Sequence, residues 1–300
     1  MKRALVTGAA GFIGSHLCTK LLEDEVEVIG IDGSPSTEKL DYIGRNANFE
    51  LINQRIEQAD LMKIMHKVDV VFHLACGIQP NEQWSDIEDR VKDHVHCMRL
   101  LAESIDSRKT KFIFSSSYDV YGKKTGEVTE NSTANPETLY GLIKLTEENC
   151  IRMAAAKKHF SYVILRFPTV YGPWQPEGMT FQQIISADEG ERDVMTVKKD
   201  SVTEDAIYVE DAVRALCLAA ENKSRNAIYN IVSGSSGEWR KGLKLLSIKE
   251  DEFPKEKRNM VVVGEKAAKE LGFRSDVKIE EGLKKQIQHS KERLKSRFKA

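Results

Sequence analysis

The sequence predicts an α/β protein built on a doubly wound parallel sheet, with a smaller C-terminal lobe. Three observations carry that expectation. Short apolar runs rich in β-branched residues alternate with longer helix-like stretches through about the first 170 residues. Three glycines at three-residue spacing join the first such run to the first helix-like stretch. After Phe167 the texture changes, with Pro168, Pro173, Pro176 and Gly178 crowded together.

The expected strands, in order, are Arg3 to Thr7, Glu27 to Asp32, Asn48 to Ile52, Val68 to Leu74, Lys111 to Ser115 and Tyr162 to Phe167. Between them, Gly14 to Glu23, Ile87 to Ser107 and Glu137 to Lys158 space apolar residues by three and four or consist of good helix formers. Right-handed crossovers between such elements produce helices on both faces of one sheet. The helix-like run Val209 to Glu221 and the apolar run Ala227 to Val232 suggest that the chain returns once to the large lobe. The expected division is therefore residues 1–166 with about 200–232 in the large lobe, and about 167–199 with 233–300 in the small one. The tail from Ile279 to Ala300 alternates acidic and basic residues and reads as a solvated surface helix.

Composition narrows the function classes. Three hundred residues with 41% hydrophobic content bury a large core. The 45 basic and 46 acidic side chains nearly cancel, so no long-range field gathers nucleic acid or an anionic membrane, and neither is expected as a partner. The opening Met1-Lys2-Arg3-Ala4-Leu5-Val6-Thr7-Gly8 turns to glycine too soon for a signal-peptide core, and no long apolar run follows, so a soluble cytoplasmic location is expected. Cys18, Cys76, Cys97, Cys150 and Cys217 are odd in number and scattered, and read as reduced, mostly buried thiols. No metal is expected: His94 and His96 are the nearest approach to a ligand cluster and point to different sides of a helix.

Val6-Thr7-Gly8-Ala9-Ala10-Gly11-Phe12-Ile13-Gly14 sets its glycines directly after a strand and at a helix start. Glycine is required where the chain turns sharply, where backbone touches a pyrophosphate and where helix packs on strand, while the helix N-terminus offers N–H groups and a positive dipole. This is the pattern of a Rossmann-type dinucleotide site, with Gly8, Gly11, Phe12, Ile13 and Gly14 as cofactor-binding residues. Asp32 ends the second strand, where a carboxylate accepts hydrogen bonds from an adenosine ribose and repels a 2′-phosphate. With no Arg or Lys before Lys39, NAD is favoured over NADP; a turn aspartate capping Gly33-Ser34 is the other reading of Asp32.

Tyr140 and Lys144 stand four apart in a helical stretch and so share a face. The ammonium is expected to lower the phenol pKa and ready it as a general base. Ser115-Ser116-Ser117 follows Phe112-Ile113-Phe114, placing hydroxyls at a strand's carboxyl end, where ligands bind in open α/β sheets.

Together these residues resemble the extended short-chain dehydrogenase/reductases, in particular the nucleotide-sugar epimerases, dehydratases and decarboxylases. The resemblance covers roughly residues 1 to 220. It rests on the glycine motif, His73-Leu74-Ala75-Cys76, Ser115-Ser116-Ser117-Tyr118-Asp119-Val120-Tyr121-Gly122, the Tyr140 and Lys144 pair, and Leu165-Arg166-Phe167-Pro168-Thr169-Val170-Tyr171-Gly172-Pro173-Trp174. It implies that Tyr140 takes the proton of a sugar 4-hydroxyl as hydride passes to NAD. Lys144 would bind the nicotinamide ribose, and Ser117 would hydrogen-bond the reacting oxygen. Leu74, Ala75, Ser115 and Phe167 join the cofactor pocket by the same resemblance, and Ser117, Tyr118 and Thr169 the substrate pocket, to which Arg258 is added as a cation that could meet a diphosphate, an exposed surface arginine being its other reading. The implied partner is a nucleotide-diphosphate sugar, and the implied assembly is a homodimer whose two long helices per chain form a four-helix interface.

The step after oxidation stays open. Dehydratases of this group carry Asp-Glu before Val-Tyr-Gly, whereas this chain has Tyr118-Asp119 there, so the acid is missing and the base is one methylene shorter. Asp119 reads either as catalyst or as loop hydrogen-bonder. The Phe167 to Trp174 stretch resembles UDP-glucuronate 4-epimerases and favours a 4-epimerase over a 4,6-dehydratase or decarboxylase. Glu204-Asp205-Ala206 replaces the group's Arg-Asp-Phe, removing an arginine linked to substrate binding; Arg240 and Arg258 are spare cations. That loss, with a short Ser233 to Lys255 segment, motivates the competing reading of a non-catalytic NAD-binding module.

Overall fold

The computed structural model describes residues 1–33, 37–77, 84–105, 109–188, 203–249 and 260–297. In chain order the first half runs β1 (Arg3–Thr7), α1 (Phe12–Glu23), β2 (Glu27–Ile31), α2 (Thr37–Leu40), β3 (Phe49–Ile52), α3 (Leu61–Met65), β4 (Val70–His73), α4 (Ile87–Ser104), β5 (Lys111–Ser117), β6 (Gly126–Val128) and α5 (Leu139–Lys158). The second half runs β7 (Ser161–Phe167), β8 (Thr169–Tyr171), α6 (Thr180–Asp188), β9 (Ala206–Tyr208), α7 (Val209–Glu221), β10 (Ala227–Asn230), α8 (Glu238–Leu245), β11 (Met260–Val262), α9 (Glu265–Glu270) and α10 (Ile279–Arg297).

Seven strands form one sheet in the order β3-β2-β1-β4-β5-β7-β10, every neighbouring pair parallel. This is the doubly wound α/β sheet expected. The alternation of side chains along each strand divides the core. Ala4, Val6, Val28, Val70, Phe72, Ile113, Val163 and Leu165 face one way, against Leu17 and Leu21 of α1 and Ala212 and Leu216 of α7. Leu5, Ile29, Val71, Phe112, Phe114 and Ile164 face the other, against Met98 and Leu101 of α4 and Ile151 and Ala155 of α5. Strands covered on both faces read as the continuous apolar runs of the sequence. The chain builds outward from β1 to β3 and then restarts on the other side with β4. The carboxyl ends of β1 and β4 therefore bound the crevice in which such sheets bind ligands.

β5 extends two residues past its expected end, through Ser117, because Ser116 and Ser117 pair in register with Arg166 and Phe167 of β7. The return to the sheet at β10 is present, in register with β7. The tail departs from expectation. α10 is amphipathic: Ile279, Leu283, Gln286 and Ser290 are buried along one stripe while the charged residues face out. At its centre Gln286 accepts from Gly172 N at 3.0 Å and donates to Gln175 Oε1 at 2.9 Å and Gln182 Oε1 at 3.0 Å. A helix that reads as solvated from its charges is tied into the core by this buried amide network.

Candidate active site

β1 delivers the chain to Gly8, whose φ of 72° lies where L side chains are strained. A Cβ there would also stand 2.8 Å from Ala75 N, beyond β4. The turn closes with Gly11 N donating to Gly8 O at 3.0 Å, and α1 starts at Phe12 with no side chain capping it. A Cβ on Gly14 would be 1.9 Å from Gly8 O, so only glycine lets the helix start lie on the turn. The three glycines thus keep a cradle clear of side chains at an uncapped helix N-terminus, a fit to a pyrophosphate. Asp32, directly after β2, accepts from Ala10 N at 3.0 Å and so holds the glycine loop. Lys39 Nζ donates to Ala10 O at 3.2 Å; burial, opposed by Asp32, lowers its pKa.

Across the crevice, Thr138 caps α5 by accepting from Gly141 N at 3.0 Å, which places Tyr140 in the first turn and Lys144 one turn on. Tyr140 is 37% exposed and Lys144 2%. Lys144 Nζ lies 5.9 Å from the Tyr140 ring centroid and 4.7 Å from that of Phe114, the two side chains sharing a face as their spacing requires. A Cβ on Gly141 would sit 2.5 Å from Asp119 O, so glycine at that position lets the turn after β5 press against α5. Ser117, ending β5, donates to Asp119 Oδ2 at 2.7 Å and accepts from Asp119 N at 3.1 Å. Ser116 is buried and donates to Glu148 Oε1 at 2.6 Å, and Ser115 is half-buried. Phe167, ending β7, and Thr169, opening β8, are buried. Leu74 and Ala75 are half-buried after β4, with Ala75 N donating to Thr7 Oγ1 at 3.4 Å.

The electrostatics reverse one expectation. Burial raises the Tyr140 pKa and the Lys144 charge only partly offsets it, so the phenol stands above, not below, its ordinary value. Cys76, Asp119 and Glu147 add to the rise that burial causes. Glu147 Oε2 lies 3.2 Å from Lys144 Nζ, so the ammonium is shared with a carboxylate that itself disfavours tyrosinate. Burial works against a charge on Lys144, but Glu147, with Cys76 and Tyr140 adding to it, more than compensates and holds the amine well above the usual lysine range. Burial likewise opposes the Glu147 charge, yet Lys144, His73 and His94 together keep its carboxyl far below the usual range. Glu147 was not legible as a site residue in the sequence.

Other expected residues fall differently. Tyr118 is not on the substrate side: it is 1% exposed, its hydroxyl donates to Ile231 O, and its ring packs with Tyr121, Val128 and Met260. Strand alternation sends it to the face opposite Ser117. Arg258 lies outside the described residues. Arg240 is no spare cation, since it pairs with Glu204. Cys18 is buried, but Cys76 is exposed beside Tyr140 and Lys144, whose pKa values it influences. His94 is buried against Glu147 while His96 is exposed near Arg99, on different sides of α4 as expected. Among the described residues no three His, Cys, Asp or Glu side chains are grouped to hold a metal ion, and no helix is long and apolar enough to cross a membrane.

Known proteins share this arrangement. An uncharacterized UDP-glucose epimerase of Bacillus subtilis is 33% identical over 259 residues, 83% of this chain and 81% of that one. Human dTDP-D-glucose 4,6-dehydratase is 27% identical over 97% of this chain and 90% of its own length. The crystal structure of UDP-glucuronic acid 4-epimerase from Bacillus cereus, in complex with UDP-glucuronic acid and NAD, superimposes with a TM-score of 0.86 at 30% identity, covering 97% of this chain and 99% of that one. Residues 4–232, from β1 through the return to the sheet at β10, match the NAD dependent epimerase/dehydratase family, and the chain belongs to it.

Proposed function

We propose that this chain is an NAD-dependent nucleotide-sugar 4-epimerase acting on a UDP-sugar through a 4-keto intermediate. The supporting observation is the meeting of Tyr140, Lys144, Ser117 and the glycine cradle around the crevice where the strand order reverses. In this reading residues 1–166 with about 200–232 carry the cofactor, and about 167–199 with 233–300 carry the sugar nucleotide. Gly8, Gly11, Phe12, Ile13 and Gly14 hold the pyrophosphate, Asp32 the adenosine ribose, and Leu74, Ala75, Ser115 and Phe167 line the pocket toward the nicotinamide. NAD supplies the acceptor and later the donor of the C4 hydride. In the tyrosinate form that the Lys144 charge favours against burial, Tyr140 receives the 4-hydroxyl proton at its phenolate oxygen and returns it after the ketone has presented its other face. Lys144 binds the nicotinamide ribose and places a positive charge beside that oxygen.

The Ser117 hydroxyl, held by Asp119 in this structure, is assigned to hydrogen-bond the 4-oxygen, whose own proton passes to Tyr140. That same bond supports Asp119 as the residue that orients Ser117 and not as a base at C5, which favours epimerisation over elimination or decarboxylation. Thr169 is assigned to the substrate side. The enzyme is further proposed to be cytoplasmic and homodimeric through α4 and α5, which pack side by side and leave Val95 and Met153 exposed. Sedimentation as a monomer at working concentration would dispose of the dimer.

Incubation with NAD and a panel of UDP- and dTDP-sugars tests the chemistry: a C4 epimer is expected. A 4-keto-6-deoxy product or a pentose would move the chain to the dehydratase or decarboxylase branch. Tyr140→Phe is expected to abolish turnover with NAD affinity nearly unchanged; a fully active variant would remove Tyr140 as the base.

A further inference from the structure

Behind the proposed catalytic pair lies a charged cluster that the chemistry above does not use. Glu147, on α5, is 1% exposed, and three elements converge on it. Its Oε2 is 3.2 Å from Lys144 Nζ one turn earlier on the same helix. Its Oε1 is 2.8 Å from His94 Nδ1 on α4 and 3.8 Å from His73 Nε2 at the end of β4. His73 Nδ1 in turn lies 2.7 Å from Thr7 Oγ1, the residue before Gly8. Thr7 Oγ1 accepts from Ala75 N, so its proton is directed to His73 Nδ1, and the Nε2–H of a neutral His73 then faces the Glu147 carboxylate.

We propose that Glu147, held by His94 and faced by His73, is a positioning residue that keeps the Lys144 ammonium charged and fixed toward the active-site crevice. The consequence for turnover rests on the function proposed above. A buried lysine with no counter-charge titrates several units below an ordinary one and becomes neutral in the working range. The groups facing Lys144 are Tyr140 and Glu147 from α5, Cys76 and His73 from the end of β4 and the segment after it, and His94 and Cys97 from α4; Asp119, after β5, faces Tyr140. Of these, Glu147 is the carboxylate in ion-pair contact with the amine. Burial lowers the His73 pKa, so at ordinary pH it does not add a second cation beside Lys144.

The test is Glu147→Gln, which keeps shape and an acceptor oxygen while removing the charge. Protein labelled with 13C at the lysine ε-carbon reports the Lys144 titration directly, its signal assigned by its absence from Lys144→Arg. The wild-type signal is expected to stay in its protonated position to about pH 10, and the Gln variant to titrate below about pH 9. Charge on an amine is lost as pH rises through its pKa, so a lowered pKa brings an alkaline fall in turnover into reach. The kcat of the Gln variant is expected to drop at least about five-fold between pH 7 and 9.5, with KM nearly unchanged, while the wild type stays flat. If the Gln variant does not fold, His94→Arg carries the test: a permanent guanidinium on Glu147 weakens its hold on Lys144 and shifts the titration in the same direction. Identical Lys144 titrations in the wild type and whichever variant folds would overturn the inference. A shifted titration in a protein inactive on every nucleotide sugar would remove the proposed function and leave the Glu147 assignment standing.

Discussion

Replacing Gly14 by alanine should damage cofactor binding more than any other single methyl group added to the opening loop. The new Cβ would lie 1.9 Å from Gly8 O and 3.1 Å from Ala9 Cα. A carbon and a carbonyl oxygen come to rest at roughly 3.3 Å, so about 1.4 Å of separation must be created. Gly8 has little freedom to yield: its N–H donates to Ile31 O at 2.8 Å, its carbonyl accepts from Gly11 N, and its α-carbon is already against the backbone of Ala75. The strain therefore has to be relieved by moving the start of α1 away from the turn. Overpacking of this kind costs about 1–3 kcal/mol of stability, which at roughly 2–4 °C per kcal/mol lowers the melting temperature by several degrees. A shift near 1 Å in groups that must meet a pyrophosphate is expected to weaken NAD binding about 100-fold, or 2.7 kcal/mol. Calorimetric titration with NAD, paired with thermal unfolding, measures both. Gly11→Ala, whose Cβ would be 3.0 Å from the same oxygen, should show the same effects at smaller size. A Gly14→Ala protein that binds NAD within about two-fold of the wild type would refute the reading of this loop as a side-chain-free cradle.

Three further outcomes follow from buried polar groups. Gln286→Leu removes one acceptor and two donated hydrogen bonds from a site closed to water, leaving Gly172 N, Gln175 and Gln182 to find other partners; denaturant unfolding should show a loss of about 2–5 kcal/mol, and a change under 0.5 kcal/mol would mean the network is dispensable. Arg166 grips Glu148 with Nε at 2.9 Å and Nη2 at 2.6 Å, so Arg166→Met alone should cost about 3–5 kcal/mol by stranding a buried carboxylate, whereas the double variant with Glu148→Leu should recover much of it; additive losses would contradict that coupling. Burial pushes the Asp205 carboxyl up to about 6, against the hydrogen bonds from Ser233, so the folded state holds this proton more tightly than the unfolded chain. Its stabilising contribution is therefore present at low pH and lost as pH rises from about 4 to 6, and the stability of the wild type relative to Asp205→Asn should fall across that interval; a pH-independent difference would refute the raised pKa.

What the sequence disclosed and what it withheld divide along one line, the reach of the interaction that decides each position. β1, β2, β4, β5 and β7 were legible to within two residues at each end because burial on both faces leaves an apolar run in the local sequence. β6, β8, β9 and β11, three residues each, carry no period to read. The glycine turn and the Tyr140 and Lys144 spacing are local patterns and were found; Tyr118 could have been placed by the two-residue alternation that put Ser117 on the site face. Glu147 could not have been. Its partners come from the same helix, from α4 at a separation of 53 residues and from β4, and nothing near position 147 distinguishes it from an exposed helix glutamate. α10 fails in the same way. Its stripe passes through Gln286 and Ser290, so a pattern search sees polar residues, and the amides that satisfy Gln286 lie 104 and 111 residues away. Both cases are polar groups buried in pairs, and a polar group is tolerated inside only when each partner is present. The expression of such a pair in sequence is a correlation between two distant positions, which a single chain cannot display, so the residues that tune Lys144 become visible only when α4, β4 and α5 are brought together.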